Sequence, residues 1–410
     1  MLNKYCAPFL VFLLALMPLG CLLEPKQKTG EKEDTPFEIE DTKIAAYIRT
    51  WGIPASAREP GSIHWNAGMI KGEYLSDLII SFALINKSDG FSLYIPELVS
   101  GSFSNLWNEV SALKQQYPHL NVTFSVGGAN EAGFSDMADN TAKRAGFVAN
   151  VCDWLENYGL DGVDIDWEYP VGPSWGQSIP SKPADRENYI ILLQEMRDAM
   201  DTLGETTGKR YSLSTAVPAS GWFLQRNDVK AASEIADTLK LMSYDYYGSW
   251  SSRTGHNANL YRNPRDPGNW STDQAVGAYL SAGIQPEKIM LGVGFYGRLW
   301  RGVEQGSYGT TPGLFQPYNT GGGTVSWIDI KQIYLKPGSG YTRYWDSSAK
   351  APFLYNGDAA MTGWLSYTDG EQIKELTAYV KEKNLGGVFN WEYAHDMGAE
   401  LLEILAKNSR

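Results

Sequence analysis

DGVDIDWEYP, at residues 161–170, is the most informative stretch of the chain, because it places three carboxyl groups at alternate positions of an apolar run. Side chains alternate between the two faces of a β-strand, so Asp164, Asp166 and Glu168 would share one face, about 6.7 Å apart per step. The intervening valine, isoleucine and tryptophan point the other way, into hydrophobic packing. The run therefore predicts a buried strand that carries a row of acids.

Carboxyl groups this close cannot all ionise in a site of low dielectric, so at least one keeps its proton near neutral pH. A retained proton is what a general acid needs. A calcium loop is a weaker interpretation, because it requires polar residues and a glycine between its ligands, whereas Ile165 and Trp167 stand here. A solvated acidic patch would not alternate with such apolar residues either.

Short apolar runs alternate with amphipathic stretches along the rest of the chain. Eight runs are counted, at 43–49, 78–84, 121–127, 162–168, 211–217, 238–244, 289–296 and 387–391. Helical patterns such as 187–200 lie between them, which is typical of a parallel barrel with crossover helices. The span 42–407 exceeds the roughly 250 residues of such a barrel. The excess falls between the last two strands, where 300–361 reads as short strands and turns.

The first twenty residues read as a signal peptide, since Lys4 precedes an apolar stretch that is too short to span a bilayer. That stretch ends Pro18-Leu19-Gly20-Cys21, which resembles the lipobox of bacterial lipoproteins, in which the cysteine is acylated. Residues 21–41 are polar and predict a flexible tether. We expect an extracytoplasmic protein that is either lipid-anchored through Cys21 or secreted after another cleavage.

Charge and composition narrow the partners. The formal charge of −12, or −13 once Lys4 is removed, argues against nucleic acid and anionic surfaces. Of three cysteines only Cys152 lies in the folded body, which excludes a disulfide framework within one mature chain. The four histidines are scattered without a close ligand pair. We expect a monomer that needs no metal and no organic cofactor and that acts on a neutral polymer.

The acid row resembles the signature Asp-x-x-Asp-x-Asp-x-Glu of family 18 glycoside hydrolases, the chitinase family. Asp161, Asp164, Asp166 and Glu168 match all four acids. The resemblance implies an α/β fold, an eight-fold (β/α) TIM barrel over 42–407. It also implies retaining hydrolysis of β-1,4 bonds between N-acetylglucosamine units in chitin or its oligosaccharides.

The family mechanism needs one acid with supporting acids, because the N-acetyl oxygen of the substrate attacks the anomeric carbon. By resemblance, Glu168 protonates the glycosidic oxygen. Asp166 hydrogen-bonds the acetamido N–H and stabilises the oxazolinium intermediate, and Asp164 shares a proton with Asp166. Residues 242–246 (MSYDY) resemble the Met-x-Tyr-Asp segment of the family, in which the tyrosine, here Tyr244, contacts the N-acetyl group.

Further substrate contacts follow from the same resemblance. Trp391, in the last predicted strand, matches the tryptophan beneath the sugar ring at the cleavage position. Residues 345–356 resemble the small α+β insertion that forms one wall of the cleft in some members, which assigns 300–361 to such an insertion. The remaining candidates for contact with the sugar chain are Met242, Asp245, Tyr169, Tyr47, Phe82, Gly128, Trp250, Tyr296 and Arg298.

One position departs from the family pattern. Residues 125–128 (SVGG) match its Ser-x-Gly-Gly segment, but Ala129 follows where many members carry a tryptophan. That ring stacks on the leaving sugar, so its absence argues against strong binding on that side and against processive action.

Three other functions share these features. A chitinase-like sugar-binding protein would lack the acid, so the presence of Glu168 argues against it. An endo-N-acetylglucosaminidase acting on N-glycans would keep the acid row, although the insertion and Trp391 favour linear chitin-type chains. A hydrolase of peptidoglycan stays open.

Overall fold

The computed structural model describes residues 42–307, 309–358 and 361–409. The predicted signal peptide, the lipidation site Cys21 and the tether lie outside these ranges. Within them, no helix is long and apolar enough to cross a bilayer.

Fourteen strands occur in the described residues, and eight of them match the predicted runs. In chain order they are β1 (Lys43–Arg49), β2 (Asp77–Asn86), β3 (Ser92–Tyr94), β4 (Asn121–Gly127), β5 (Gly162–Asp166), β6 (Ser212–Pro218), β7 (Thr238–Met242), β8 (Ile289–Gly294), β9 (Tyr296–Arg301), β10 (Thr320–Ser326), β11 (Thr342–Asp346), β12 (Ala351–Asn356), β13 (Gly363–Ser366) and β14 (Gly387–Trp391).

Helices follow most of the barrel strands. They are α1 (Pro96–Val99), α2 (Leu106–Gln116), α3 (Phe134–Ala138), α4 (Thr141–Asn157), α5 (Asp185–Thr207), α6 (Gly221–Arg226), α7 (Val229–Ile235), α8 (Thr272–Ser281), α9 (Trp327–Asp329), α10 (Gly370–Glu382) and α11 (Glu400–Ser409). The predicted helix 187–200 lies within α5. Its end is set by Gly208, whose φ of +70° closes the last turn in the left-handed region.

Eight parallel strands form a closed barrel in the order β1-β14-β8-β7-β6-β5-β4-β2, and β1 pairs with β2 to close the ring. The short β3 lies outside it, antiparallel to β2. The register places Ser125 beside Asp164 and Asp164 beside Ser214, so three neighbouring strands bring these side chains together. The predicted eight-fold barrel is confirmed.

A second, antiparallel sheet has the order β10-β9-β13-β12-β11 and lies in the chain between β8 and α10. This confirms an insertion between the last two barrel strands. The sheet runs from Tyr296 to Ser366, slightly beyond the predicted 300–361 on both sides. The reason is that β9 begins two residues after β8 ends, so the apolar run 289–296 joins strands of two different sheets.

Two apolar clusters hold the fold together. The larger one fills the space between the barrel strands and their helices and extends into the insertion. The smaller one lies inside the barrel and comprises Ala45, Tyr47, Ile79, Met290 and Phe389. Three partly buried side chains, Met242, Tyr244 and Trp391, pack against this interior cluster. The barrel is therefore filled below its carboxyl ends, where active sites of this architecture form.

Candidate active site

The acid row (Asp164, Asp166 and Glu168) lies at the carboxyl end of β5. Asp164 is fully buried and Asp166 is 5% exposed, and the alternate residues Val163 and Ile165 are buried in the outer core. The prediction that the strand continues to Glu168 is wrong, because β5 ends at Asp166. Glu168 thus belongs to the loop above the barrel and is not fixed by strand pairing.

Asp164 forms the base of the row and accepts from four donors. Its Oδ2 accepts from the Tyr47 hydroxyl at 2.8 Å and from the Ser125 hydroxyl at 2.7 Å. Its Oδ1 accepts from the Ser214 hydroxyl at 2.7 Å and from Lys240 Nζ at 3.3 Å. These bonds lead to β1, β4, β6 and β7. None of its hydrogen bonds goes to Asp166, with which the resemblance has it share a proton.

Asp166 has the opposite environment. Its Oδ1 is buried without a hydrogen-bond partner among the described residues. Burial, followed by the charges of Glu168 and Asp164, raises the pKa of Asp166 well above its usual value, and Lys240 acts against this rise. The backbone of Asp166 packs closely against Gly127 on the neighbouring strand β4. Only a glycine allows this contact, since at φ +130° a Cβ there would lie 2.0 Å from the Asp166 carbonyl oxygen.

Glu168 has a pKa suited to a proton donor. Burial raises its pKa to about 7, a hydrogen bond from Tyr169 opposes the rise, and the charge of Asp245 adds to it. A carboxyl group with this pKa keeps its proton in a large fraction of molecules at neutral pH. The row therefore combines Asp164 with four hydrogen-bond donors, Asp166 with an unpartnered Oδ1 and Glu168 with a pKa near neutrality.

The predicted MSYDY segment follows β7 and lies beside the row. Asp245 adopts φ +61° and accepts from the Tyr296 hydroxyl at 2.7 Å and from Arg298 Nη2 at 2.6 Å. Both partners belong to β9 of the insertion. Tyr244 contacts Tyr296 edge to face, with ring centroids 6.1 Å apart. The insertion thus holds the loop after β7 in place.

Aromatic rings surround the opposite side of the row. Phe82 stacks on Trp391 at 5.5 Å, and Trp51, just after β1, stacks on Phe82 at 6.2 Å. Tyr47 meets Trp391 edge to face at 5.6 Å. Behind Trp391, Glu392 pairs with Arg49, and the Arg49 guanidinium lies 5.0 Å from the centre of the Trp51 ring.

Two cavities meet at the acid row. The first, of about 740 Å³, extends along the loops after β5, β6 and β7. The second, of about 480 Å³, extends along the carboxyl ends of β1, β2 and β4 and the loops after β1 and β4. Both are lined by Glu168, Met242, Tyr244 and Asp245, so the acid stands where a long ligand would cross from one cavity into the other.

The first cavity is rich in tryptophan. Trp250 is 61% exposed, and one side of its ring faces the Arg298 guanidinium at 5.0 Å. Trp175 is 70% exposed and meets Trp222 edge to face, while Trp222 meets Tyr169 at 5.1 Å. Flat apolar rings of this kind suit the faces of sugar rings.

The second cavity contains the position that departs from the family pattern. Ala129 lines it together with Gly128 and Phe82. Gly128 adopts φ +96°, and a Cβ there would lie 3.0 Å from the Phe82 ring. The glycine therefore permits both the turn and the close packing of the phenylalanine. In the described residues, no group of three histidine, cysteine or acidic side chains is arranged to hold a metal ion.

The predicted catalytic and substrate-contacting residues line these two cavities or lie directly beneath them, except that Tyr296 and Arg298 contribute through Asp245. In a comparison with known proteins, the model of the family "Glycosyl hydrolases family 18" matches residues 43–396. The chain belongs to glycoside hydrolase family 18.

Individual relatives support the family 18 assignment. Chitinase A1 of Niallia circulans is 37% identical over 306 residues, which are 72% of this chain and 43% of that one. Chitinase ChiA74 of Bacillus thuringiensis superimposes with a TM-score of 0.80 at 29% identity, over 90% of this chain and 70% of that one. A family 18 N-acetylglucosaminidase of Paenibacillus barengoltzii gives a TM-score of 0.77 at 30% identity, over 90% of this chain and all of that one. The chain thus spans less than half of one curated relative.

Sequence reasoning missed several residues of this family 18 site. Lys240 stands in the apolar run of β7, and its position two residues before Met242 places it on the inward face, a signal that strand alternation offers. Trp51 and Trp175 lie in loops and Trp222 lies in the short helix α6, where no periodicity indicates which way a side chain points.

Proposed function

We propose that this family 18 domain is a chitinase, a retaining hydrolase of β-1,4-linked N-acetylglucosamine polymers. One observation carries the proposal: Glu168, whose pKa is raised to about 7, and Asp166, whose Oδ1 has no hydrogen-bond partner among the described residues, lie where two aromatic-lined cavities meet. An extended sugar chain across both cavities would place one glycosidic bond at Glu168. The names of the similar proteins support this class of substrate.

The proposed reaction begins with proton transfer from Glu168 to the glycosidic oxygen as the bond to the anomeric carbon breaks. The carbonyl oxygen of the substrate's own acetamido group attacks that carbon, which replaces an enzyme nucleophile. Asp166 accepts the acetamido N–H, and its negative charge stabilises the oxazolinium ion that forms. Water then attacks the anomeric carbon as its bond to the acetamido oxygen breaks, and the same Glu168 takes a proton from that water. The two successive inversions at the anomeric carbon leave its configuration retained.

The remaining residues would hold the substrate. Trp391 offers an apolar face beneath the reacting sugar, and its ring is fixed by Phe82 and Tyr47. Tyr244 would direct its hydroxyl to the N-acetyl group, while Asp245 is kept in place by Arg298. The tryptophans of the first cavity would stack on further sugars. No metal or organic cofactor takes part in this scheme.

A set of chitin oligomers tests the proposal. The purified domain from about residue 24 onward is incubated with each oligomer, and the products and their initial anomer are separated by chromatography. Retaining chitinolysis predicts that the β-anomer forms first. An initial α-anomer, or efficient cleavage of cellulose oligomers, which lack the acetamido group, would contradict the mechanism.

A second candidate is an N-acetylglucosaminidase that acts on shorter or different glycans. It is favoured by the similarity to the Paenibacillus barengoltzii enzyme, whose whole length this chain covers. It is also favoured by Ala129, which stands where many family members carry a tryptophan that stacks on the leaving sugar. Release of single N-acetylglucosamine units from every oligomer would favour it. Release of muropeptides with no cleavage of chitin oligomers would instead favour a peptidoglycan hydrolase.

We also propose that the enzyme acts outside the cytoplasm, lipid-anchored through Cys21 or secreted, and as a monomer. The signal-like residues 1–20 and the polar segment 21–41 support this location. Labelling cells with a tagged fatty acid tests the anchor. A label on the wild type that is absent from Cys21→Ser supports lipidation, and no label on either protein favours secretion.

A further inference from the structure

Lys240 is a charged residue in the interior of the barrel. It lies in the middle of β7, between two leucines that face the outer core, and it is 4% exposed. Its Nζ is 3.3 Å from Asp164 Oδ1 and also donates to the Ser214 hydroxyl. Burying an unpaired ammonium group is costly, so a lysine here calls for a specific partner.

Asp164 is that partner, and its other hydrogen bonds leave one acceptor position for Lys240. Tyr47 from β1, Ser125 from β4 and Ser214 from β6 each donate a hydroxyl to Asp164. An ionised carboxylate has about four acceptor positions, and Lys240 takes the fourth. A proton on Asp164 would displace one of these donors. Among the described residues, Lys240 is the only cation paired with Asp164.

We propose that Lys240 is a positioning residue for the acid row: it keeps Asp164 ionised, so that the retained proton is shared between Asp166 and Glu168. The inference rests on the proposed function for its catalytic meaning, since the reaction draws that proton from Glu168. Lys240 contacts no substrate atom in this scheme. It acts through Asp164 alone, from beneath the site.

The charges that face the pair agree with this assignment. Asp166, on the same strand, and Glu168 and Asp245, above the barrel, are acids, while Tyr47 and Tyr244 are neutral phenols. Lys240 is the positive charge that lowers the pKa of Asp166, against burial and the two neighbouring acids. Without it, the row would hold one more proton at neutral pH, because three buried carboxyl groups would lack a counter-charge.

Lys240→Met removes the charge and keeps a side chain of similar length. The free energy of unfolding is measured by urea denaturation from about pH 5 to about pH 9, without substrate, on wild type and variant. The folded variant binds its extra proton with a raised pKa, so the associated stability is present at low pH and is lost as the pH rises. We expect the ratio of the two unfolding constants to change by up to about tenfold per pH unit within the window of this titration.

Lys114→Met is the matched control, because Lys114 pairs with Asp161, which directly precedes β5, the strand that carries Asp164. Asp161 keeps Lys209 at 3.8 Å and the backbone N–H of Val122. We therefore expect the destabilisation by Lys114→Met to be independent of pH in this range. Lys240→Arg, which retains the charge, should likewise show no pH-dependent change.

The second measurement is the pH profile of kcat on a chitin oligomer. Loss of the cation raises the pKa values of the row, so both limbs of the profile should move to higher pH in Lys240→Met and return in Lys240→Arg. A uniform loss of stability with an unshifted profile would mean that Lys240 only fills space, and would overturn the proposal.

Two further outcomes stay informative. If Lys240→Met does not fold at any pH, the double variant Asp164→Asn/Lys240→Met is expected to fold, because both charges leave together; a double variant that also fails to fold contradicts the pairing role. If the wild type cleaves no chitin oligomer, the proposed function fails, but the unfolding measurement still decides the role of Lys240.

Discussion

Asp164 and Asp166 are two residues apart on one strand, yet their hydrogen bonding is opposite. Asp164 accepts from four donors, whereas Asp166 Oδ1 has none among the described residues. A buried polar atom without a partner costs free energy unless a ligand supplies one. The acetamido N–H of an N-acetylglucosamine unit is a donor of the required kind. Substrate binding would then lower the pKa of Asp166 and supply the hydrogen-bond donor that its Oδ1 lacks.

The first prediction concerns Glu168→Gln, which keeps the shape and removes the acid. We expect kcat on chitin oligomers to fall by about a hundredfold to ten thousandfold, the range for loss of a general acid. Binding of a chitin oligomer, followed by tryptophan fluorescence, should remain close to wild type, since Trp391 and its neighbours are unchanged. Substantial residual turnover would show that another residue donates the proton.

The second prediction is the alkaline limb of activity. Because burial raises the pKa of Glu168 to about 7, the protonated fraction falls above that pH, and kcat should decline about tenfold per pH unit well beyond it. Steady-state rates on a soluble oligomer measured across the range test this. A rate that stays constant to about pH 9 would exclude Glu168 as the acid with this pKa.

At the scale of single residues, the sequence predicted the site where several residues of set type recur at set spacing. Four acids at set spacing identified the row, and strand alternation placed Asp164 and Asp166 on its inner face. Lys240 was not predicted, because strand alternation places it on the inward face of β7 but does not identify the carboxyl group with which it pairs. That partner, Asp164, lies 76 residues earlier in the chain.

At the scale of elements, the insertion is joined to the barrel by a buried polar link. Asp346, at the end of β11, accepts from His256 Nε2 at 3.0 Å and from Asn263 Nδ2 at 2.6 Å, both in the segment after β7. That segment also carries Trp250. Burial alone would raise the pKa of Asp346, but these bonds and the backbone N–H of Ala349 lower it to about 2.

The third prediction follows from this link. A carboxylate whose folded pKa is lowered contributes stability above its unfolded pKa, and loses it as the pH falls through the folded value. Asp346→Asn should therefore reduce the free energy of unfolding by about 2 kcal/mol at pH 7, with the difference narrowing below about pH 4. Urea denaturation at several pH values measures it.

Glu304→Gln is the control for that experiment, since Glu304 is an exposed acid of the same insertion. It should leave the unfolding curve unchanged at every pH. An Asp346→Asn difference that does not vary with pH would mean that the asparagine merely packs poorly.

Element bounds were predictable where an apolar run coincided with one strand. The runs 43–49, 121–127 and 387–391 agree with β1, β4 and β14. The run 289–296 did not, because β8 and β9 are separated by Phe295 alone. The run 162–168 also extended too far, since Trp167 is buried like a strand residue but stacks on Phe134 beyond the end of β5.

The whole molecule is acidic, yet its cleft is proposed to bind an uncharged chain. Salt screens interactions between charges and hardly affects stacking on tryptophan or contact with neutral hydroxyls. The fourth prediction is that KM for a chitin oligomer changes by less than about twofold between about 20 mM and about 500 mM NaCl. A steep dependence would indicate a charged substrate, such as a deacetylated or acidic glycan.

The fold class was predictable at this scale because βα alternation over the whole chain admits few architectures. The place of the insertion was also predictable, since one gap was longer than the others. The shape of the cleft was not. It depends on the loops that carry Trp51 and Trp175, on the short helix α6 that carries Trp222, and on how the insertion contacts Asp245. These are long-range contacts without a local pattern.

The direction of β1 has a consequence for how the enzyme meets its substrate. Lys43 begins this strand at the end of the barrel opposite the acid row, and all eight barrel strands run the same way. The backbone of Lys43 therefore lies on the side of the barrel away from the cleft. Attachment of the molecule through that side would leave the mouth of the cleft open, so a bulky insoluble polysaccharide could approach it.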